Sequence, residues 1–191
     1  VFVSSSGANL VEPDVEKYYI SKLFPICEYL TPNKHEAERL TGMSITNADS
    51  VISAGKKLHS LGVKGVLFKG GHIDPEKNIV IDYLYHPEDY LDINMRPRIR
   101  AKNENLDVHG TGCNLSAAFC AWMAQMENAF DAMVKTEDYM EGILRKIIVL
   151  PDGGKVADTS YTDREIMSMK MVGEVYDFLS KNKQAAQLVA E

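Results

Sequence analysis

"CEYLTPNKHEAERLTG", Cys27 to Gly42, and "VKGVLFKGGH", Val63 to His72, bracket the part of the chain with the clearest alternation of strand and helix signals. The short run CEYLT reads as a strand, and Pro32 forces an extended backbone on Thr31 at its end. KHEAERLTG then reads as a short helix stopped by Gly42. Next comes TNADSVISAGKKLHSLG, a second helix capped near Asn47 and stopped at Gly62. VKGVLF returns to strand and is closed by Gly70 and Gly71. The order strand, loop, helix, helix, strand predicts an α/β chain with a mostly parallel sheet, because parallel strands need long crossovers that are usually helical. Ligands of such sheets bind at the carboxyl ends of the strands.

Outward from this centre, VFV at residues 1–3 reads as a strand already present at the first residue, so the chain is expected to start inside a larger protein. SSSGANLVEPD is a loop, and Asp14 is predicted to cap a helix carrying Val15, Tyr18, Tyr19, Leu23 and Phe24 at helical spacing. NIVIDYLYH and YLDINMRPRI, around a PED turn, predict an antiparallel hairpin at the sheet edge, where Pro97 is tolerated. A helix is expected from about Cys113 and another over Asn128–Ile148. LPDGG then breaks the chain before a final helix, DREIMSMKMVGEVYDFLS, and a fraying end at 183–191.

Composition narrows the function. With 191 residues, 45% of them hydrophobic, the chain can bury one substantial core, and 1–191 is read as a single domain. A net charge of -6 with scattered basic residues leaves no footprint for nucleic acid or an anionic membrane, so a small-molecule partner is expected. No apolar run reaches the about 20 residues needed to span a bilayer. The cysteines are Cys27, Cys113 and Cys120, an odd number. On a helix Cys113 and Cys120 would stand about 10 Å apart along the axis, too far for a disulfide. A reducing, cytoplasmic setting is expected.

Three loops at strand ends carry the candidate chemistry. In TPNKHEAE, Asn33 and Glu36 share a face at a helix start, where an amide can meet phosphate and a carboxylate can hold hydrated magnesium. The same pair would also serve as an N-cap and its N3 partner. In VLFKGGH, Lys69 offers a mobile charge for phosphate, and Gly70 and Gly71 allow close backbone approach; an ordinary strand-ending turn is the alternative. In HGTGC, Gly110, Thr111 and Gly112 lead into a helix whose first amides suit an anion, though the loop lacks a Walker A lysine and the third glycine of a dinucleotide fingerprint. Cys113 in that first turn is a candidate nucleophile or base, the alternative being a small packed hydrophobe. Cys27 and Cys120 read as packing, and the five histidines show no zinc-binding spacing.

Taken in order, TPNKHEAERLTG, GVLFKGGH and HGTGCNLSAAFCA resemble the hydroxymethylpyrimidine/phosphomethylpyrimidine kinases of thiamine biosynthesis, in the ribokinase-like superfamily, over roughly Val1–Gln125. The resemblance implies a three-layer α/β/α fold, ATP with Mg²⁺, and phosphoryl transfer to the hydroxymethyl group of a pyrimidine or its monophosphate. By position, Asn33 and Glu36 match the family's N-x-x-E pair for magnesium and phosphate, and Lys69 its nucleotide-phosphate lysine. Gly110, Thr111 and Gly112 match its anion hole, and Cys113 its catalytic base. The chain corresponds to the C-terminal portion of the family's domain, and the glycine-rich substrate loop has no counterpart. Asn114 stands where threonine or serine is usual. A pyridoxal kinase and a non-catalytic nucleotide-binding module are the alternatives. Families of this fold often dimerise, and MKMVGEVYDFL is a candidate homodimer interface.

Overall fold

A computed structural model describes residues 11–73, 78–88, 90–98 and 108–160. The strand expected at 1–3, the final helix, the fraying end and the candidate dimer segment lie outside the described residues. The chain divides into two units, residues 1–98 with 119–134 and residues 99–118 with 135–191.

The first unit opens with α1, Pro13–Tyr18, whose N-cap is Glu12 and not Asp14. Proline carries no N–H and its φ is already helical, so it sits best at the first helical position and starts the helix one residue before the expected cap. Asp14 instead pairs with Lys17 at 3.2 Å. The chain continues through a π-helical turn, Tyr19–Leu23, and a 3-10 turn, Phe24–Ile26. In the wider π turn Phe24 N–H donates to Tyr19 C=O, five residues back. That spacing rotates Leu23 and Tyr18 outward, 44% and 66% exposed, and leaves Phe24 fully buried. The expected apolar stripe is corrected accordingly.

The two crossover helices form where their caps predict. In α2, Lys34–Thr41, Asn33 is the N-cap, and Gly42 closes the helix at φ 70°. In α3, Ala48–Ser60, Asn47 and Ser50 make a reciprocal capping pair. These helices link β1, Tyr29–Leu30, to β2, Gly65–Phe68, in parallel register, Tyr29 opposite Gly65. Then β3, Ile79–Tyr85, and β4, Leu91–Pro97, form the antiparallel hairpin, with Tyr83 opposite Ile93. The sheet order is β1-β2-β3-β4, which puts Pro97 on the edge strand as expected.

Strand alternation sorts the sheet into two faces. Leu30, Val66, Phe68, Tyr83 and Tyr85 pack with Ala37 and Leu40 of α2 and Val51, Ala54 and Leu58 of α3 into the core. A Cβ on Gly55 would come within 2.4 Å of the Tyr85 ring, so the glycine lets α3 lie against β3. On the opposite face the Tyr29 ring covers Gly65 and meets Phe119 edge to face, ring centres 5.5 Å apart. Helical residues therefore cover both faces of a mixed sheet, an α/β/α arrangement. Among the described residues no helix is long and apolar enough to cross a membrane.

The second unit holds the first turns of α4, Thr111–Met123, the last turns of α5, Ala129–Arg145, and a hairpin of β5, Ile147–Val149, with β6, Lys155–Ala157. The helix expected to reach Ile148 ends at Arg145. Three consecutive β-branched residues, Ile147, Ile148 and Val149, favour a strand. LPDGG is then the turn of a hairpin, with Gly153 at φ 85° and the Asp152 carboxylate accepting from Gly154 N–H at 2.9 Å.

Beyond β6, Asp158 accepts from the Ser160 amide at 3.0 Å and hydroxyl at 2.5 Å, and Lys146 stands 3.6 Å away. The Ser160 donors, with help from Lys146, hold the Asp158 carboxyl below the usual carboxylate range. A group whose folded pKa is depressed stabilises the fold above its unfolded value of about 3.9 and loses that contribution as pH falls through the folded value. Ser160→Ala is therefore expected to lower the thermal midpoint at pH about 5, with the gap to wild type shrinking below pH about 3. A gap that is constant with pH would refute the assignment.

Candidate active site

The α2 start does two jobs with one pair of residues. Asn33 Oδ1 accepts from Glu36 N–H, and Glu36 Oε2 accepts from Asn33 N–H, both at 2.8 Å. Both residues are buried, at 8% and 3% exposure, so the cap is a rigid base and not a solvated helix end. The capping alternative is thus realised in the structure, and it also aims the Glu36 carboxylate toward the end of β2. Lys69 Nζ lies 3.7 Å from Glu36 Oε2, both side chains nearly buried.

The backbone explains that meeting. Three residues beyond β1 and one beyond β2, Asn33 and Lys69 form a parallel bridge, and Lys69 N–H donates to Pro32 C=O at 3.1 Å. The two loops at the carboxyl ends of β1 and β2 are thereby tied side by side. Lys69, distant in the chain from Asn33 and Glu36, thereby joins them in one cluster in the first unit.

Gly70 and Gly71 differ in their reasons for being glycine. A Cβ on Gly70 would stand 1.6 Å from Ile81 C=O, so the close approach it permits is to the backbone of β3. A Cβ on Gly71 would meet nothing within 4 Å, which leaves that position open. The loop is also held by residues that the strand-end motifs did not single out. Gly70 N–H donates to Asp82 Oδ1 at 2.5 Å, and Arg98 donates to Gly71 C=O at 2.9 Å. Asp82 is 2% exposed on β3 and accepts from Arg96 at 2.8 Å. The signal in the sequence is a lone carboxylate inside IVIDYLY, an apolar strand that has no reason to bury a charge without a task.

In the second unit, Gly110 takes φ 83° and α4 begins at Thr111, two residues before the expected start. The left-handed glycine turns the chain sharply enough for the helix to begin at once. The helix's first backbone bond runs from Asn114 N–H to Gly110 C=O, at 2.9 Å. The amides of Thr111, Gly112 and Cys113 precede it and have no carbonyl within the helix to meet, the usual condition of a helix N-terminus. The Asn114 side chain also donates to Gly110 C=O, at 3.1 Å, and braces the turn. His109 N–H donates to Lys155 C=O at 2.8 Å, so the approach to this turn is paired with β6. Cys113, the third helical residue, is an exposed free thiol.

The other two cysteines divide. Cys27 donates to Tyr29 C=O at 3.2 Å, and burial, followed by the Glu28 carboxylate, pushes its thiol pKa up, as suits an inert packed residue. Cys120 is exposed, which corrects its reading as packing. The buried stripe of α4 runs through Leu115 and Phe119, and Cys120 falls one position off it.

All three loops lie within a stretch matched by a known family. The family model described as phosphomethylpyrimidine kinase matches residues 1–156. The chain belongs to the phosphomethylpyrimidine kinase family. It is 34% identical over 145 residues to the thiamine biosynthesis bifunctional protein ThiED of Geobacter sulfurreducens, covering 76% of this chain and 28% of that protein. The crystal structure of phosphomethylpyrimidine kinase from Clostridium difficile superposes with a TM-score of 0.58 at 31% identity, covering 74% of this chain and 53% of that one. An ADP complex of Bacillus subtilis pyridoxal kinase superposes with a TM-score of 0.67 at 25% identity, covering 79% and 57%. The chain thus spans about half the length of these solved relatives and 28% of the bifunctional protein. The ribokinase-like fold expected from the sequence is the fold of this phosphomethylpyrimidine kinase family member.

Proposed function

We propose that the whole protein transfers a phosphoryl group from ATP to the hydroxymethyl group of hydroxymethylpyrimidine or its monophosphate, and that residues 1–191 are the C-terminal portion of one kinase domain. The observation that carries the chemistry is the first turn of α4: three amides ahead of the first helical bond, with the exposed Cys113 thiol among them. A pre-aimed set of amides stabilises charge that develops on a moving phosphoryl group without reorganising during the reaction.

In this reading the substrate hydroxyl passes its proton to Cys113 Sγ, which starts the step as a thiolate and ends it as a thiol, as its oxygen bonds to the γ-phosphorus. The bond from that phosphorus to the bridging oxygen breaks, and ADP leaves. The turn of Gly110, Thr111 and Gly112 cradles the transferring group, with the amides of Thr111, Gly112 and Cys113 as donors. Lys69 and Asn33 meet the nucleotide phosphates alongside the open backbone of Gly71, and Gly70 sets the path of that loop. Among the described residues no three His, Cys, Asp or Glu side chains converge on one point, so Glu36 offers a single carboxylate. One hard oxygen suits Mg²⁺, which usually keeps several waters and is shared with substrate phosphates. Glu36 would hold it through water, and its chemistry is to neutralise the phosphate charge.

The pyridoxal alternative keeps one supporting observation, the superposition on a pyridoxal kinase that was crystallised with ADP. The identity is higher to the phosphomethylpyrimidine kinase of Clostridium difficile, 31% against 25%, which favours the pyrimidine. Turnover of hydroxymethylpyrimidine and of pyridoxal by the whole protein, compared at equal ATP, is expected to favour the pyrimidine by kcat/KM. A preference for pyridoxal overturns the substrate assignment, and no turnover of either overturns the activity.

A further inference from the structure

We infer that Asp82 is a positioning residue for Lys69, acting through the peptide bond that follows it; this rests on Lys69 meeting the nucleotide phosphates, as proposed above. The starting observation is a buried carboxylate in the middle of an apolar strand. Packing alone would place an apolar side chain there, since burying a carboxylate is costly unless it is both paired and hydrogen-bonded. Asp82 has both: Arg96, from the neighbouring strand, takes Oδ2, and Gly70 N–H takes Oδ1.

The consequence falls on Lys69. A side chain leaves its Cα in a direction set by φ and ψ, hence by the two peptide planes that flank the residue. The plane before Lys69 is fixed by its N–H on Pro32 C=O at 3.1 Å, and the plane after it by Gly70 N–H on Asp82 at 2.5 Å. Lys69 is held at φ -76° and ψ 111° between these two anchors. Two planes further on, Arg98 donates to Gly71 C=O at 2.9 Å. The β3–β4 hairpin therefore sets the aim of a lysine that it does not contain, through two side chains on backbone atoms of the loop. Hydrophobic residues in place of Asp82 would leave Gly70 N–H without this acceptor and the second plane without its anchor.

The test uses the whole protein, with ATP affinity measured directly beside steady-state kinetics. Asp82→Ala is expected to weaken ATP binding and raise the KM for ATP about tenfold, by analogy with the lower end of the range for outer-shell groups that orient metal ligands. The KM for the hydroxymethyl substrate should stay within about twofold. Asp82→Asn, which keeps an acceptor for Gly70, should recover most of the loss. Leu84→Ala, a fully buried neighbour on β3, should lower the thermal midpoint without moving ATP affinity. In a Lys69→Met background Asp82→Ala should add little, since two residues acting as one unit are not additive. If Asp82→Ala does not fold, Asp82→Glu keeps the charge for Arg96, displaces the carboxylate from Gly70, and should raise the KM for ATP in its place.

An Asp82→Ala protein no weaker for ATP than Leu84→Ala, or one whose loss is undiminished when Lys69 is already gone, overturns the inference. A wild-type protein that binds ATP without phosphorylating hydroxymethylpyrimidine overturns the substrate assignment alone, and Asp82 is then judged by ATP affinity. A wild-type protein that binds no ATP overturns both.

Discussion

Cys113→Ala in the whole protein is expected to lower turnover by about 100- to 10,000-fold, the usual contribution of a positioned general base, while ATP affinity stays within about twofold. The structure makes this a clean experiment. Cys113 is exposed on the third residue of α4, so removing its sulfur empties no cavity. Surface substitutions of this kind usually change stability by less than about 0.5 kcal/mol. A loss of turnover at an unchanged thermal midpoint would therefore be chemical. Undiminished turnover in Cys113→Ala would remove the thiol from the mechanism and leave the first-turn amides as the helix's contribution.

Gly70→Ala is expected to cost about 3 kcal/mol or more, at the upper end for overpacked sites, with the thermal midpoint falling by roughly 6 to 12 °C. The added Cβ would lie 1.6 Å from the carbonyl oxygen of Ile81, a backbone atom of β3 at a position paired with Met95 of β4. A side chain could swing aside; this carbonyl can move only by disturbing the strand. The same shift would pull Gly70 N–H off Asp82, one residue along β3. Gly71→Ala is the matched control, since its Cβ would meet nothing within 4 Å, and it is expected to stay within about 1 kcal/mol of wild type. Denaturant unfolding of the two variants measures the difference, and equal stabilities would refute the close approach of loop and strand.

Much of the first unit was legible because its signals are local. Asn33 and Asn47 cap helices through atoms three residues away, and Gly42 ends one with its own left-handed backbone. The hairpin of NIVIDYLYH and YLDINMRPRI announces itself by alternation, and Pro97 by its tolerance only at an edge. Where local signals competed, the reading slipped. Asp14 is the residue type that caps helices, but Pro13 before it starts the helix and leaves Glu12 as the N-cap. Ile147 and Ile148 continue an amphipathic helical pattern until a partner strand, Lys155–Ala157, offers them a ladder. Cys120 looked packed because α4 is apolar on most sides, and which side is covered depends on what lies beside it.

The candidate site divides in the same way. Each of its motifs is a short stretch whose chemistry follows from residue type and helix position, so Asn33, Glu36, Lys69 and Gly110–Cys113 could be named from sequence. The α/β order, the caps, the edge hairpin and the identity of these candidates can be read along the chain, since all depend on neighbours within about one turn or one strand pair. That Lys69 comes to rest 3.7 Å from Glu36, that Gly70 is a glycine for the sake of β3, and that Asp82 and Arg98 hold the loop between them emerge from the assembled sheet. Those facts rest on strands meeting in register across long stretches of chain, and register is a property of the folded sheet that no single segment encodes.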